Sequence, residues 1–159
     1  MQKASSQLAR EIDGTITEVL LQSFADRLLV LVTQMGKVGT LIQATIPPTT
    51  PLEPSPPHDP SQPNVTPLPT PPSAIQLTPL LGHAPSERIQ TLHSLYASQI
   101  ATIVWTSEST QALEPERRPI VVGLALRKSG EVEGMGLSEQ ERSVFYEVMD
   151  MVRELLTRR

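Results

Sequence analysis

The sequence predicts an α+β fold: a mainly antiparallel β-sheet led by a β-hairpin, with two α-helices packed on one face and a disordered Pro-rich insert. Three observations predict it. Short β-branched and aliphatic runs bounded by turn residues recur at 28–32 (LLVLV) and 120–126 (IVVGLAL), the pattern of buried strands. Two later segments carry apolar residues at three- and four-residue steps, the pattern of helices with one buried face. Of the 16 prolines, 12 fall between Pro47 and Pro72, where the missing N–H groups exclude a helix or an inner strand. The 159 residues have room for one ordinary domain. The expected division is an N-terminal segment over 1–13 and a single domain over 14–159, interrupted by the insert at 47–73.

Taken in order, residues 15–24 (TITEVLLQSF) read as a strand. Residues 27–35 (RLLVLVTQM), between Asp26 and Gly36, read as a buried strand, and residues 38–46 (VGTLIQATI) as a strand returning to Pro47. The link between them predicts a hairpin, with Gly36 at positive φ in a tight turn and Lys37 in water. Gly39, early in the returning strand, marks a bulge or a close backbone approach. The insert offers too few apolar residues to offset backbone ordering at about 1–2 kcal/mol per residue, which predicts a mobile, polyproline II-like segment. Residues 74–81 (AIQLTPLL), ahead of Gly82, fit an edge strand that tolerates Pro79.

Pro85 and Ser86 start a helix whose face is Ile89, Leu92, Leu95, Tyr96, Ile100 and Ile103, running to about Trp105. Its end, ATIVWT, is also compatible with a strand. Pro119 leads into the buried strand IVVGLALRK. Ser138 and Glu141 form a capping box for a helix over 137–157, striped by Val144, Phe145, Val148, Val152 and Leu155, with Arg158 and Arg159 at its negative end.

A net charge of −4 and a pI near 5.4 speak against nucleic acid as a partner, because phosphate affinity comes mostly from Lys and Arg. There is no Cys, hence no disulfide, thiolate nucleophile or thiolate metal site. No run of about 18 apolar residues provides a membrane span. Residues 1–13 lack a secretory apolar core, so cytosol or nucleus is the expected compartment.

No motif supplies catalytic chemistry. Leu31 stands where a Walker loop needs its first glycine, and Val38 follows Lys37 where Ser or Thr is required. Gly36-Lys37-Val38-Gly39 matches the KH loop literally but lies between strands rather than helices. His58, His83 and His93 are scattered, and Gly134-Met135-Gly136 lacks the third glycine of a dinucleotide fingerprint. No catalytic, cofactor-binding or metal residue is assigned. The insert carries Thr50-Pro51, Ser55-Pro56, Thr66-Pro67 and Thr70-Pro71, which fit proline-directed kinases. Its Pro-Ser-Pro-Pro at 54–57 and Pro-Thr-Pro-Pro at 69–72 fit SH3 or WW grooves.

The residues point instead to an interface. Leu28, Leu29, Val30 and Leu31, like Val121, Val122 and Leu124, are apolar on both alternating faces, so both faces of the sheet centre require cover. Two helices cover one. A partner's sheet is the economical cover for the other, and the sequence leaves open which alternating set it meets. The competing cover is the insert, or the segment carrying Leu8 and Ile12, folded back on that face.

At this pair of strands LLVLVTQMGKVGTLIQA resembles the hairpin of the proteasome assembly chaperone 3 family, through Thr33, Gln34, Gly36, Lys37, Gly39 and Thr40. The order that follows is similar too: a Leu-Leu-Gly strand end at 80–82, an amphipathic helix, an aliphatic strand and a C-terminal helix. The resemblance covers about residues 14–47 and 74–157; the long insert departs from animal members and suits a fungal one. It implies a chaperone without enzyme activity or cofactor, paired with assembly chaperone 4. That pair would bind α-subunits of the 20S proteasome while their ring forms, with a homodimer open to the chain when its partner is absent. The hydrophobic-Tyr-x tail by which assembly chaperones 1 and 2 dock is not matched by Leu156-Thr157-Arg158-Arg159.

Overall fold

The computed structural model describes residues 5–34, 36, 39–63, 66–111, 117–127 and 136–158. Eight elements follow in the order β1 (Ser5–Ile12), β2 (Thr15–Ser23), β3 (Leu28–Thr33), β4 (Thr40–Thr45), β5 (Gln76–Leu81), α1 (Glu87–Gln111), β6 (Ile120–Ala125) and α2 (Glu139–Thr157). The strands form one mixed sheet, mainly antiparallel, in the order β1-β2-β3-β6-β4-β5. Only the β3–β6 pair is parallel.

The N-terminal segment is part of the sheet rather than a flank to it. Asp13 and Gly14 both take positive φ, 49° and 78°, and close a two-residue turn between Ile12 and its partner Thr15. That geometry matches strand twist, which is why Asp-Gly is a strong hairpin signal. Only Leu8 and Ile12 give β1 an apolar rhythm. Arg10, on the same face, is carried by α2: its guanidinium donates to Glu147 at 2.9 Å, Asp150 at 3.0 Å and Glu154 at 2.9 Å.

The expected hairpin around Gly36 is corrected. β3 and β4 do not pair, because β6 lies between them, parallel to β3 and antiparallel to β4. All six residues of β6 are buried, so both its faces and both its edges need neighbours, and only the centre of the sheet supplies them. β3 and β4 therefore stand two strand spacings apart, about 10 Å, on either side of β6. Gly39 makes the expected close approach. A Cβ there would stand 2.1 Å from the Leu124 carbonyl oxygen.

The helices lie on one face. Val19, Leu21, Leu28, Val30, Val32, Ile42, Ala44, Ile120, Val122 and Leu124 join Tyr96, Ile100, Val104, Trp105, Val148, Met149, Val152 and Leu155 in a single core. Ser86 Oγ accepts from Ile89 N at 3.3 Å at the start of α1, and the capping box of Ser138 and Glu141 starts α2 as expected. α1 continues six residues past Trp105: ATIVWT is helical, and its β-branched residues are tolerated because Ile103, Val104 and Trp105 are buried. The Trp105 indole donates to the Arg118 carbonyl at 2.9 Å, fixing the approach to β6.

The insert is irregular, as its prolines dictate, but it does not hang free as expected. Side chains from the rest of the fold donate to several of its carbonyls. Gln99 Nε2 donates to Pro69 O at 2.8 Å, Arg153 Nη2 to Pro67 O at 2.5 Å, and Arg117 Nη2 to Thr50 O at 3.3 Å. Pro69 is buried, and Leu52 and Leu68 pack against the core. This strap explains why Gln99, a polar residue of α1, is buried. β5 is the edge strand expected, with Pro79 in a bulged register opposite β4.

Candidate functional site: the uncovered sheet face

Strand alternation assigns each sequence-predicted interface residue to a face. Leu28, Val30, Val122 and Leu124 point into the helix-covered core and are at most 2% exposed. Leu29, Leu31 and Val121 point to the opposite face, where among the described residues no element of this chain packs. Val121 and Ala125 are buried there although neither belongs to the helix-side core.

The register organises this face into rows. One runs Gln7, Leu20, Leu31, Gly123, Leu41, Leu81, apolar across five strands and polar at its β1 end. The next runs Ser5, Gln22, Leu29, Val121, Gln43, Thr78, apolar at its middle and polar at its ends. Gly123 has a structural reason: a Cβ there would stand 2.4 Å from Leu31 Cδ2 and 2.9 Å from Leu41 Cδ2, so both leucines lean over the bare backbone. A shallow hollow of about 170 Å³ remains between Leu20, Leu31, Thr33, Gly39 and Gly123. Ile16 and Leu81 are more than half exposed at the margins. An apolar centre with a polar rim of amides, hydroxyls and the Glu18 carboxylate is the anatomy of a protein interface.

Of the turn motif, Thr33 ends β3 and Thr40 begins β4, while Lys37 lies outside the described residues. Gln34 is structural: its Nε2 donates to Thr17 Oγ1 at 3.0 Å, its Oε1 accepts from Arg127 N at 3.0 Å, and its backbone N–H donates to Ala125 O at 2.8 Å. Gly36 takes φ 67°, as expected of a turn glycine. Leu20, Leu41 and Gly123 were not predicted as site residues. The alternation of Ile16 and Leu20 in β2 was the signal for the first; the others need the register of β6 against both neighbours.

A larger concavity of about 700 Å³ opens at the other end of the core, lined by Leu92, His93, Tyr96, Leu124, Arg127 and Glu141 among others. Burial lowers the His93 pKa and, with Glu141 nearby, raises that of Tyr96, so both side chains are neutral at pH 7. Glu141 is committed. Its carboxylate accepts from Arg88 and from the Ser138 backbone, and the Arg88 hydrogen bond is the main cause that lowers its pKa to about 2. Because the folded pKa lies below the unfolded one, the stability it supplies is complete above about pH 4.3 and is lost as pH falls toward 2. Glu141→Gln should therefore unfold at a lower temperature than wild type at pH 7, and the gap should close as pH approaches 2 in parallel thermal melts. Among the described residues no group of three or more His, Cys, Asp or Glu is placed to hold a metal ion, and no helix is long and apolar enough to cross a membrane.

No family model matches the chain, and no curated protein matches it.

Proposed function

We propose that this chain is a noncatalytic assembly chaperone for the 20S proteasome core, working as one half of a dimer in which two sheets lie face to face. The observation that carries the dimer is the uncovered apolar band from Leu20 through Leu31, Gly123 and Leu41 to Leu81. Stacked about 10 Å apart, two such sheets shield both bands and leave the helices outward. A stable contact of ordinary size buries about 800 Å² per partner. The resemblance of the Thr33–Thr40 motif to proteasome assembly chaperone 3 supplies the identity of the partner, assembly chaperone 4, and of the clients, the α-subunits. The mechanism is templating: the dimer holds particular α-subunits beside their correct neighbours and leaves before the particle closes. In the partner's absence the same face pairs with its own copy, a two-fold contact that needs no second surface.

The second reading is an adaptor that recruits SH3 or WW domains through the insert. One observation narrows it: in the Pro-Thr-Pro-Pro motif at 69–72, Pro69 is buried and its carbonyl is bonded to Gln99, which leaves only the exposed motif at 54–57 for a ligand. Deleting residues 48–72 and purifying the tagged chain from cells separates the two. The chaperone reading predicts that one small partner and unassembled α-subunits are recovered with both forms of the chain. Loss of all partners on deletion, with SH3 or WW proteins recovered by the intact chain, contradicts it. The deletion should also lower the melting temperature, since it uncovers Gln99 and Ile103 and removes the packing of Leu52 and Leu68.

A further inference from the structure

The strap crosses a cavity of about 460 Å³ bordered by α1 and α2, and the lining of that cavity holds an unbalanced cation. Arg153 projects from α2 into it, partly buried, and has no carboxylate partner among the described residues. Asp150, one turn earlier, attracts it through space but is bonded to Arg10. Burial lowers the Arg153 pKa for want of a contacting anion. Among the described residues its one hydrogen bond is to the neutral carbonyl of Pro67, and Thr106 Oγ1 in the same lining is buried without a partner. A guanidinium in a partly dry cavity calls for an oxyanion.

The residue preceding Pro67 is Thr66, exposed to solvent and bordering the same cavity. It carries the Thr-Pro sequence that proline-directed kinases require. The neighbouring candidates fit less well. Thr50 is partly buried, with its N–H bonded to Pro47 O at 3.1 Å, and the carbonyl beside Thr70 is held by the uncharged Gln99. Ser55 borders the cavity, but no bond ties its neighbours to Arg153.

We propose that Thr66 is a phosphorylation site for a proline-directed kinase and that Arg153 receives the phosphate, fastening the strap across α1 and α2. Thr66 Oγ attacks the γ-phosphorus of a nucleoside triphosphate. The new Oγ–P bond replaces the bond to the bridging oxygen, the nucleoside diphosphate leaves with that electron pair, and the hydroxyl proton passes to the kinase's catalytic base. The phosphate then meets the fork of Arg153 beside the carbonyl that the guanidinium already holds. This is the case in which an added phosphate orders a segment through an arginine.

The test uses the full chain, a proline-directed kinase and ATP, with phosphosites mapped by mass spectrometry and the phosphothreonine followed by ³¹P NMR against pH. Thr66→Ala assigns the resonance. A phosphothreonine in water loses its second proton near pH 6, and one paired with Arg153 should do so at least about half a unit lower. Arg153→Ala should return the midpoint to the free value. Arg153→Gln, which keeps a donor for Pro67 but no charge, should do the same and decides the matter if the alanine variant unfolds. His58 is the other ionisable side chain lining the cavity and is unchanged in both variants. A kinase that modifies Ser55 or Thr50 and leaves Thr66 bare overturns the proposal. So does a Thr66 phosphate whose midpoint is the same in wild type and both Arg153 variants.

Discussion

Leu31→Asp is expected to abolish pairing with the partner while leaving the chain folded, and Val30→Asp, one residue earlier, is expected to unfold it. The two side chains leave the same strand on opposite faces. Leu31 is partly exposed in the single chain, so a carboxylate there keeps access to water and the fold loses chiefly the contact over Gly123, about 1 kcal/mol. In the proposed dimer that carboxylate would lie between two sheets with no cation in this chain's band to meet it. An unpaired charge at the centre of an interface should cost about 3 kcal/mol or more, over 100-fold in affinity. Val30 is fully buried beneath the helices, and a carboxylate there should cost the monomer about 3–5 kcal/mol. Urea denaturation of each single chain, with titration against the partner, separates the effects. If Leu31→Asp bound as tightly as wild type, the uncovered face would not be the interface.

The second large effect is expected at Gly39. A Cβ there meets Leu124 O at 2.1 Å, Leu124 C at 3.0 Å and Ala125 Cα at 3.1 Å. All three are backbone atoms of the central strand, so no rotamer change relieves the clash, and either β4 or β6 must shift. Gly39→Ala should lose about 3 kcal/mol or more, read as a drop in the urea midpoint. Gly36→Ala is the control. Among the described residues nothing lies within 4 Å of its Cβ position, and its positive φ alone should cost about 1–2 kcal/mol. If the two variants were equally stable, the close approach of Gly39 to β6 would be misplaced. The contrast also divides the motif physically: one glycine serves a turn, the other a close approach of two strands.

The contrast bears on what was legible in the sequence. The buried runs at 28–32 and 120–126, the edge strand with Pro79, and the capping box of Ser138 and Glu141 are written in local pattern, and the structure has them. β1 was missed because five of its eight positions are Ser, Gln, Arg or Glu ahead of any apolar run, and because Arg10 looks exposed until α2 brings three carboxylates to it from more than 130 residues away. Asp13-Gly14 was the local sign that went unread. The Gly36 link was taken for a hairpin because turn chemistry reports only that the chain reverses. Whether a third strand enters between the two arms depends on the pairing of β6, which is non-local. Helical ATIVWT is a tertiary override of β propensity. The insert's order depends on Gln99, Arg117 and Arg153 finding its carbonyls, and nothing in the insert's own composition announces them. For the candidate site, alternation alone revealed two apolar faces; only the register and the helices show which one is left uncovered.

The most direct test of the central claim is to replace leucine with photo-leucine in cells, irradiate, purify the chain and map its crosslinks. The sheet-to-sheet account predicts that Leu20, Leu29, Leu31 or Leu41 crosslinks to one small partner or to a second copy. Core leucines such as Leu28 and Leu155 should crosslink only within the chain. Intermolecular crosslinks confined to Leu95 on α1 or to Leu52 and Leu68 in the strap, with the leucines of the uncovered face linked to nothing outside the chain, would contradict it.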